Sequence, residues 1–383
     1  MPDWVGADVL VPWLQRLVAC PSEQTDLQER DPAVVDFIKR AVAPLLYELD
    51  LAPRFDPMGN LVLELGPRGA ERSLMFCTYA MTHPAANMRE PFAASLIDTP
   101  HGAAVRGRGA SEQKAALAAA LGALAQAARG KRLTGRLIFT VLTAGETGRH
   151  DAVTSVAARL ERMPQFAVVC IGTDSKVAIG NKGRVDFDVT VHGKAAHSSV
   201  PSQGINAING AWRLLEKIEA VKLPARPHPA FGPATLTATA LSSTPKATHT
   251  IQDRVRITCD RRLLPGEDPE QAFASIAEQV SIEPPWRLEW TRGPIMFPNE
   301  IAIDGPLYRH LTDAYARAGL GTPTPFHCNF ALDAGFFARH GVEAVMLGPG
   351  AVDQFHSDEE YVAIADVTRM AAVYHRLIES CLT

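Results

Sequence analysis

The sequence predicts an α/β protein whose mainly parallel sheet is flanked by helices and interrupted by an inserted α+β unit of βαββαβ order. Three observations predict it. The first is Leu137–Leu142, six β-favouring residues without alternation, the pattern of a strand buried on both faces of a helix-covered parallel sheet. The second is the alternation of helical and apolar strand stretches through residues 113–171, resumed after Pro294, which is the pattern of an α/β layer. The third is a change after Gly183, where Val185, Phe187, Val189 and Val191 alternate with polar residues, as a strand with one wet face does. A chain of 383 residues has room for two domains. The reading is a discontinuous domain of residues 1–183 and 294–383, with residues 184–293 inserted.

Taken in order, residues 6–19 and 31–49 predict helices. The second opens with Asp31-Pro32, an N-cap acid before a proline at the first helical position. Val34, Phe37, Ile38, Ala41 and Leu45 then recur on one face. Arg54–Phe55, Asn60–Leu65 and Ser73–Cys77 read as strands, with a turn at Gly59-Asn60. An Ala-rich helix over 113–129 is apolar around most of its circumference and is expected to be buried. Strand 137–142, helix 151–162 and strand Phe166–Ile171 follow. In the insert come strand Arg184–Val191, a helix of about 15 residues after Gly204-Ile205-Asn206, strands Thr235–Leu241 and Arg254–Asp260, helix Pro269–Gln279 and strand Arg287–Thr291. Such a run is a compact unit in its own right. Helix 305–318, the apolar segment Val342–Leu347 and a closing helix over 364–381 complete the first domain.

Composition excludes several function classes. Hydrophobic residues make up 46% and charged ones 21%, the balance of a globular chain with a sizeable core. A net charge of −4 without basic runs gives no electrostatic case for nucleic acid. The amino terminus has no signal-peptide pattern, and the most apolar helical stretch, near Leu117–Ala128, is too short to span a bilayer. Six cysteines lie far apart with no CxxC pair, as free thiols in a reducing compartment do. The expectation is a soluble, cytoplasmic protein with no nucleic-acid or membrane partner.

The chemistry-bearing residues follow strand ends. Glu146, in Gly145-Glu146-Thr147-Gly148, lies at the carboxyl end of strand 137–142, where open α/β sheets bind ligands; it is a ligand or a loop charge. Other candidate loops are Cys77-Thr78-Tyr79-Ala80, Gly107–Lys114 with Glu112, Gly172-Thr173-Asp174-Ser175, Gly193–Ser199 with His197, and Gly348-Pro349-Gly350 followed by His356. Each has a plainer reading. Glu112 and Glu146 could be helix-start acids complementing the dipole, His356 and His83 loop histidines, His197 a strand-end polar residue and Arg262 a surface arginine. The Gly348-Pro349-Gly350 loop could present N–H groups to an anion or form a tight turn.

Four stretches together carry more weight: GRGASEQK at 107–114, GKAAHSSVPSQGINAI at 193–208, DRRLLPGE at 260–267 and GPGAVDQFHSDEEYV at 348–362. In this order they resemble the dinuclear zinc hydrolases that include acetylornithine deacetylase, succinyl-diaminopimelate desuccinylase, aminoacylase and glutamate carboxypeptidase. The resemblance covers nearly the whole chain. It implies a catalytic α/β domain, an inserted lid that also dimerises, and hydrolysis of N-acyl amino acids or short peptides. In that chemistry two metals about 3.5–4 Å apart share a water while a carboxylate moves protons.

This chain departs from the implied pattern. The expected ligands His and Asp align with Thr78 and Ala80, a poor zinc ligand and a non-ligand. The bridging Asp aligns with Glu112. The general base aligns with Gly145, which carries no proton acceptor, and the ligand beside it with Glu146. The acid after strand 166–171 falls at Thr173 or Asp174. One metal position therefore keeps Glu112, Glu146 and His356, and Asp174 is a further candidate. The expectation is at most one divalent ion, zinc or manganese, or none, with His83 a possible replacement ligand. The resemblance also implies that His197 stabilises the developing oxyanion from a neighbouring subunit, that Arg262 holds a substrate carboxylate, and that His249 stands where a substrate-binding Asn is usual. The resulting expectation is a homodimeric hydrolase of a small amide bearing a carboxylate, with Glu112 or Asp174 taking over as proton acceptor. The alternative is a catalytically inactive homologue that binds or regulates, since losing the base and two ligands together costs many orders of magnitude in rate.

Overall fold

The structure is a computed structural model that describes residues 3–145 and 147–383. The chain divides into two compact units, one of Met1–Gly180, Glu300–Phe326 and Leu332–Thr383, the other of Asn181–Asn299 and His327–Ala331. The first contains a mixed sheet whose strands lie in the order Arg54–Phe55, Leu61–Leu65, Arg136–Leu142, Ser73–Tyr79, Phe166–Cys170, Glu343–Leu347, Val177–Asn181, Asn299–Glu300. Its centre is parallel: Ser73–Tyr79 pairs in parallel with both Arg136–Leu142 and Phe166–Cys170, and Phe166–Cys170 with Glu343–Leu347. Ser73–Tyr79 and Arg136–Leu142 are buried at every position, as continuous apolar strands in a covered parallel sheet must be. The fold class read from the sequence is the one observed.

The Ala-rich helix Ala115–Arg129 is buried along nearly its whole length. Its small side chains let the closing helix Ile364–Leu382 and the first helix Ala7–Ala19 pack against it, and all three contribute to one core. Gly122 shows how close that packing is, since a Cβ there would stand 2.6 Å from the Trp4 carbonyl oxygen and 2.7 Å from Leu10 Cδ2.

Several elements differ from the expected ones. The helix over 31–49 is instead Pro32–Phe37, a π turn at Ile38–Val42 and Ala43–Tyr47. Pro44 is the cause: it offers no N–H and its ring crowds the carbonyl of Arg40, so the preceding turn widens. The buried helix is likewise entered through a π turn, Ala110–Lys114, after Gly109 at φ 75°. The helix from Asp151 ends at Ala157. A small sheet of Ser95–Thr99, Gly102–Arg106 and Tyr361–Ala363 was not predicted; its strands are short and lack an apolar run. The strand Val177–Asn181 was not predicted either; its apolar run is only Val177-Ala178-Ile179 before Gly180.

In the second unit four antiparallel strands lie in the order Thr235–Thr244, Arg254–Leu263, Gly183–His192, Arg287–Met296. Gly183–His192 alternates buried and half-buried positions. Its buried face packs with helices Ala207–Glu219 and Pro269–Gln279 through Phe187, Val189, Val191, Leu214 and Ile276. Asn206 and Asp268 cap those helices by accepting the N–H groups of Ile208, and of Glu270 and Gln271. Among the described residues no helix is long and apolar enough to cross a membrane. All six cysteines are free thiols, with Cys20 half-buried and the others buried.

Two stability predictions follow from this packing. Gly122→Ala improves helix propensity by about 1 kcal/mol, yet the added methyl meets a backbone oxygen that cannot yield. Overpacking of this kind costs about 1–3 kcal/mol, so a lower urea midpoint at unchanged slope is expected. Burial pushes the imidazoles of His310 and His375 below their ordinary value. The unfolded chain then binds these protons more readily than the folded one, so stability falls as pH drops below 6.5, the ordinary value. Urea midpoints from pH 7.5 to 5 should decline, with a shallower slope in His310→Gln/His375→Gln.

Candidate active site

A buried carboxylate places the first functional side chains. Glu360, 0% exposed, accepts hydrogen bonds from the backbone N–H of Gly109, Ser111 and Glu112 and from Arg108 Nη1, at 2.9–3.1 Å. The three backbone donors are the unsatisfied N–H groups at the start of the π turn, where a negative charge is stabilised. Glu360 stands four residues after His356, so one side chain fixes the Glu112 turn and the His356 loop together. Glu112 Oε1 lies 3.1 Å from His356 Nε2, with the Glu112 side chain buried and His356 half exposed. His356 adopts φ 61°, a left-handed conformation that costs energy in a non-glycine residue and marks functional loops. The His83 ring stacks on His356 with centroids 3.9 Å apart, and its Nδ1 turns to the Pro84 carbonyl at 3.1 Å. His83 therefore buttresses the His356 ring. Lys114 Nζ donates to the Cys20 carbonyl and lies over the Phe37 ring; burial lowers its ammonium to about 7.

The loop after strand Phe166–Cys170 meets this turn through glycine. Gly172 N–H donates to the Glu112 carbonyl at 2.8 Å, and a Cβ on Gly172 would stand 2.8 Å from both Phe355 Cε1 and the Ser111 carbonyl. Thr173 is buried; its hydroxyl donates to the Lys176 carbonyl at 2.6 Å, lies 3.3 Å from the Gly348 carbonyl and accepts from Gly348 N–H. Gly348 N–H is thus engaged inside the loop, and Gly350 lies against the Ser111 carbonyl; their smallness serves close packing. Asp174, at φ 55°, lies 3.9 Å from Lys176 and lines a cavity of about 560 Å³ with Tyr315, Asp366 and Arg369. Neither Glu112 nor His356 lines that cavity.

The positions aligned with the other ligands and the base are closed by packing. Thr78 is buried and its hydroxyl donates to the Thr140 carbonyl at 2.7 Å. Ala80 is buried. A Cβ on Gly145 would stand 2.1 Å from Tyr79 Cε1. The Tyr79 hydroxyl donates to Asp333 Oδ2 at 2.9 Å, and His150 Nδ1 meets Asp333 Oδ1 at 2.8 Å. Burial pushes the Tyr79 phenol and the Cys77 thiol well above their ordinary values. Glu146 lies outside the described residues.

In the second unit His197 and His249 fall on adjoining segments. His197 bridges Thr250, and Ser198 N–H donates to the His249 carbonyl. His197 Nδ1 lies 2.7 Å from Ser199 Oγ. Arg262 gives Nε and Nη2 to the two carboxylate oxygens of Asp260, each at 2.9 Å. His327 packs among His228 and Phe231, its ring centroid 5.6 and 5.1 Å from theirs.

Glu112 and His356 are the two metal-type donors that the described residues bring together at this turn. Glu112 and His356 offer O and N atoms at a separation suited to neighbouring ligands around an ion bound at about 2.0–2.2 Å. Among the described residues no third His, Cys, Asp or Glu joins them within ligand reach. A second ion finds no donor at Ala80 or Gly145, and at Thr78 only a hydroxyl already bonded to the sheet. Sequence reasoning missed Glu360, Tyr79, Asp333 and His150. Glu360 lay within a quoted motif, and its spacing from His356 was the available signal; nothing local marked Asp333. Glu360→Gln leaves Arg108 facing a neutral amide inside the core. Breaking a buried pair costs about 3–5 kcal/mol, so a large drop in the urea midpoint is expected, with loss of whatever Glu112 and His356 bind.

Comparison with known proteins shows the family and the fold. Residues 82–380 match the model of peptidase family M20/M25/M40. The chain is 29% identical to acetylornithine deacetylase of Myxococcus xanthus over 286 residues, 71% of each protein. It is 24% identical to succinyl-diaminopimelate desuccinylase of Cereibacter sphaeroides over 389 residues, 96% of this chain and 97% of that protein. An M20 family metallo-carboxypeptidase of Sulfolobus solfataricus shares the fold, with a TM-score of 0.75 at 14% identity over 99% of each chain. The chain belongs to peptidase family M20/M25/M40, and with it to the hydrolases of carbon–nitrogen bonds.

Proposed function

We propose that this chain hydrolyses a small amide, an N-acyl amino acid or short peptide, at a site that holds at most one divalent ion. The observation that carries the reading is a contrast within one unit. Glu112 and His356 meet at 3.1 Å, while Gly145 has a ring where its side chain would be. In this reading Glu112 and His356, with Glu146, hold the ion. Once bound, the ion would polarise the scissile carbonyl. Glu112 would take a proton from the attacking water and return it to the leaving nitrogen, a role worth about 10²–10⁴ in rate. Glu360 keeps Glu112 in place for that task, and His83 keeps the His356 ring from turning. Asp174, the other candidate acceptor, is less favoured because it faces Lys176 and a separate cavity.

His197, His249 and Arg262 are proposed substrate contacts, the last held in orientation by Asp260. We also propose pairing of two chains through the second unit. Its support is Trp212, 68% exposed, and Ile208 one turn away on the same helix, beside a largely exposed edge strand, Thr235–Thr244. The buried free thiols support a reducing, cytoplasmic setting.

The test is metal content per chain by plasma mass spectrometry after dialysis against trace zinc and manganese, alongside a panel of N-acyl amino acids and dipeptides. About one ion per chain is expected, lost in His356→Ala, with turnover that falls at least a hundredfold in Glu112→Gln. Two ions per chain would overturn the single-ion reading. Folded protein that turns over none of the panel would favour a binding or regulatory homologue.

A further inference from the structure

The space beside Gly145 has been filled. A Cβ there would stand 2.1, 2.4 and 2.8 Å from Tyr79 Cε1, Cζ and Cδ1, so three ring atoms occupy the volume that any side chain at 145 would need. Such an overlap is resolved cheaply only if the ring can swing away, and this ring is held at both ends. Its Cα belongs to the central strand Ser73–Tyr79, which is buried throughout and paired on both sides. Its hydroxyl donates to Asp333 Oδ2 at 2.9 Å, and Asp333 is itself fixed by His150 Nδ1 at 2.8 Å. Turning the ring would leave the buried Asp333 carboxylate short of a donor, a cost added to the steric one. Burial keeps the phenol protonated, so it remains a donor over the whole working pH range.

We propose that Tyr79 and Gly145 are a coupled pair in which the aromatic ring, tied down through Asp333 and His150, closes the position of a proton-moving carboxylate and leaves proton transfer to Glu112. Tyr79 acts here as a positioning residue. The steric half of the proposal stands on the packing alone; the proton-transfer half rests on the hydrolase reading above.

The pair predicts that position 145 is open to side chains only when residue 79 is small. A four-protein cycle tests this: wild type, Gly145→Ala, Tyr79→Ala and the double variant, each unfolded in urea. Gly145→Ala should lower the midpoint clearly in the wild-type background, and by less than half as much in the Tyr79→Ala background. Tyr79→Phe, which keeps the ring and drops the hydroxyl, should leave Gly145→Ala intermediate in cost. Additive shifts, or a Gly145→Ala protein as stable as wild type, would overturn the pair.

The functional arm uses Tyr79→Ala/Gly145→Glu, which returns a carboxylate to the reopened space. Turnover of the best panel amide should rise about tenfold or more over Tyr79→Ala alone. The acid limb of the pH–rate profile should also move, because a different carboxylate now accepts the proton; a purely structural role for Tyr79 would leave that limb in place. An unmoved limb, with the double variant folded, would overturn the assignment of proton transfer. Absence of turnover in the wild type would sink the hydrolase reading, while the urea cycle still decides the pair.

Discussion

The arrangement of the first unit's candidate site depends on one buried carboxylate. Glu360 receives three backbone N–H groups and the Arg108 guanidinium, and no part of it meets solvent. A charge so placed is stable only because each donor is in position, and the donors are in position only because the charge is there. The turn that carries Glu112 and the loop that carries His356 lie 244 residues apart in the chain, and Glu360 joins them. The left-handed backbone at His356 and the π turn at Ala110–Lys114 are local costs that this anchoring offsets.

Around that anchor the site is shaped by close backbone approach. Gly172, Gly348 and Gly350 lie where an added Cβ would meet carbonyl oxygens of Ser111, Ile171 or Gly350 itself. A loop packed this tightly has few N–H groups left for a ligand, and Gly348 has already given its own to Thr173. What distinguishes this chain's site is therefore the pair of side chains that project from rigid turns, Glu112 and His356. Around the aligned positions of the other donors the structure is dense: a hydroxyl bonded to the sheet at Thr78, a buried methyl at Ala80 and a ring over Gly145.

Much of the fold was legible because burial on both faces leaves a signature in composition. Leu137–Leu142 and Phe166–Ile171 read as covered strands, and the alternation over Val185–Val191 as a sheet with one wet face. Short elements left no such mark, whether half exposed like Ser95–Thr99 or buried like Val177–Asn181. Pro44 was visible, but its consequence, a π turn six residues earlier at its start, depends on how the chain relieves a backbone clash. For the site, motif order in the sequence pointed to Glu112 and His356, and their meeting was then found in space. Asp174 carried the same chemical promise, yet it follows Thr173, whose hydroxyl bonds fold the turn so that Asp174 faces Lys176.

By itself the sequence determined the family and the absence of a donor at Ala80 and Gly145, because these follow from residue identity and motif order. Only the tertiary structure decided that the gap at Gly145 is filled rather than open. That outcome needs Tyr79, Asp333 and His150, which lie up to 254 residues apart in the chain and share no periodic pattern. Hydrogen-bond direction and excluded volume are properties of atoms brought together in space, and no local pattern in the sequence encodes them.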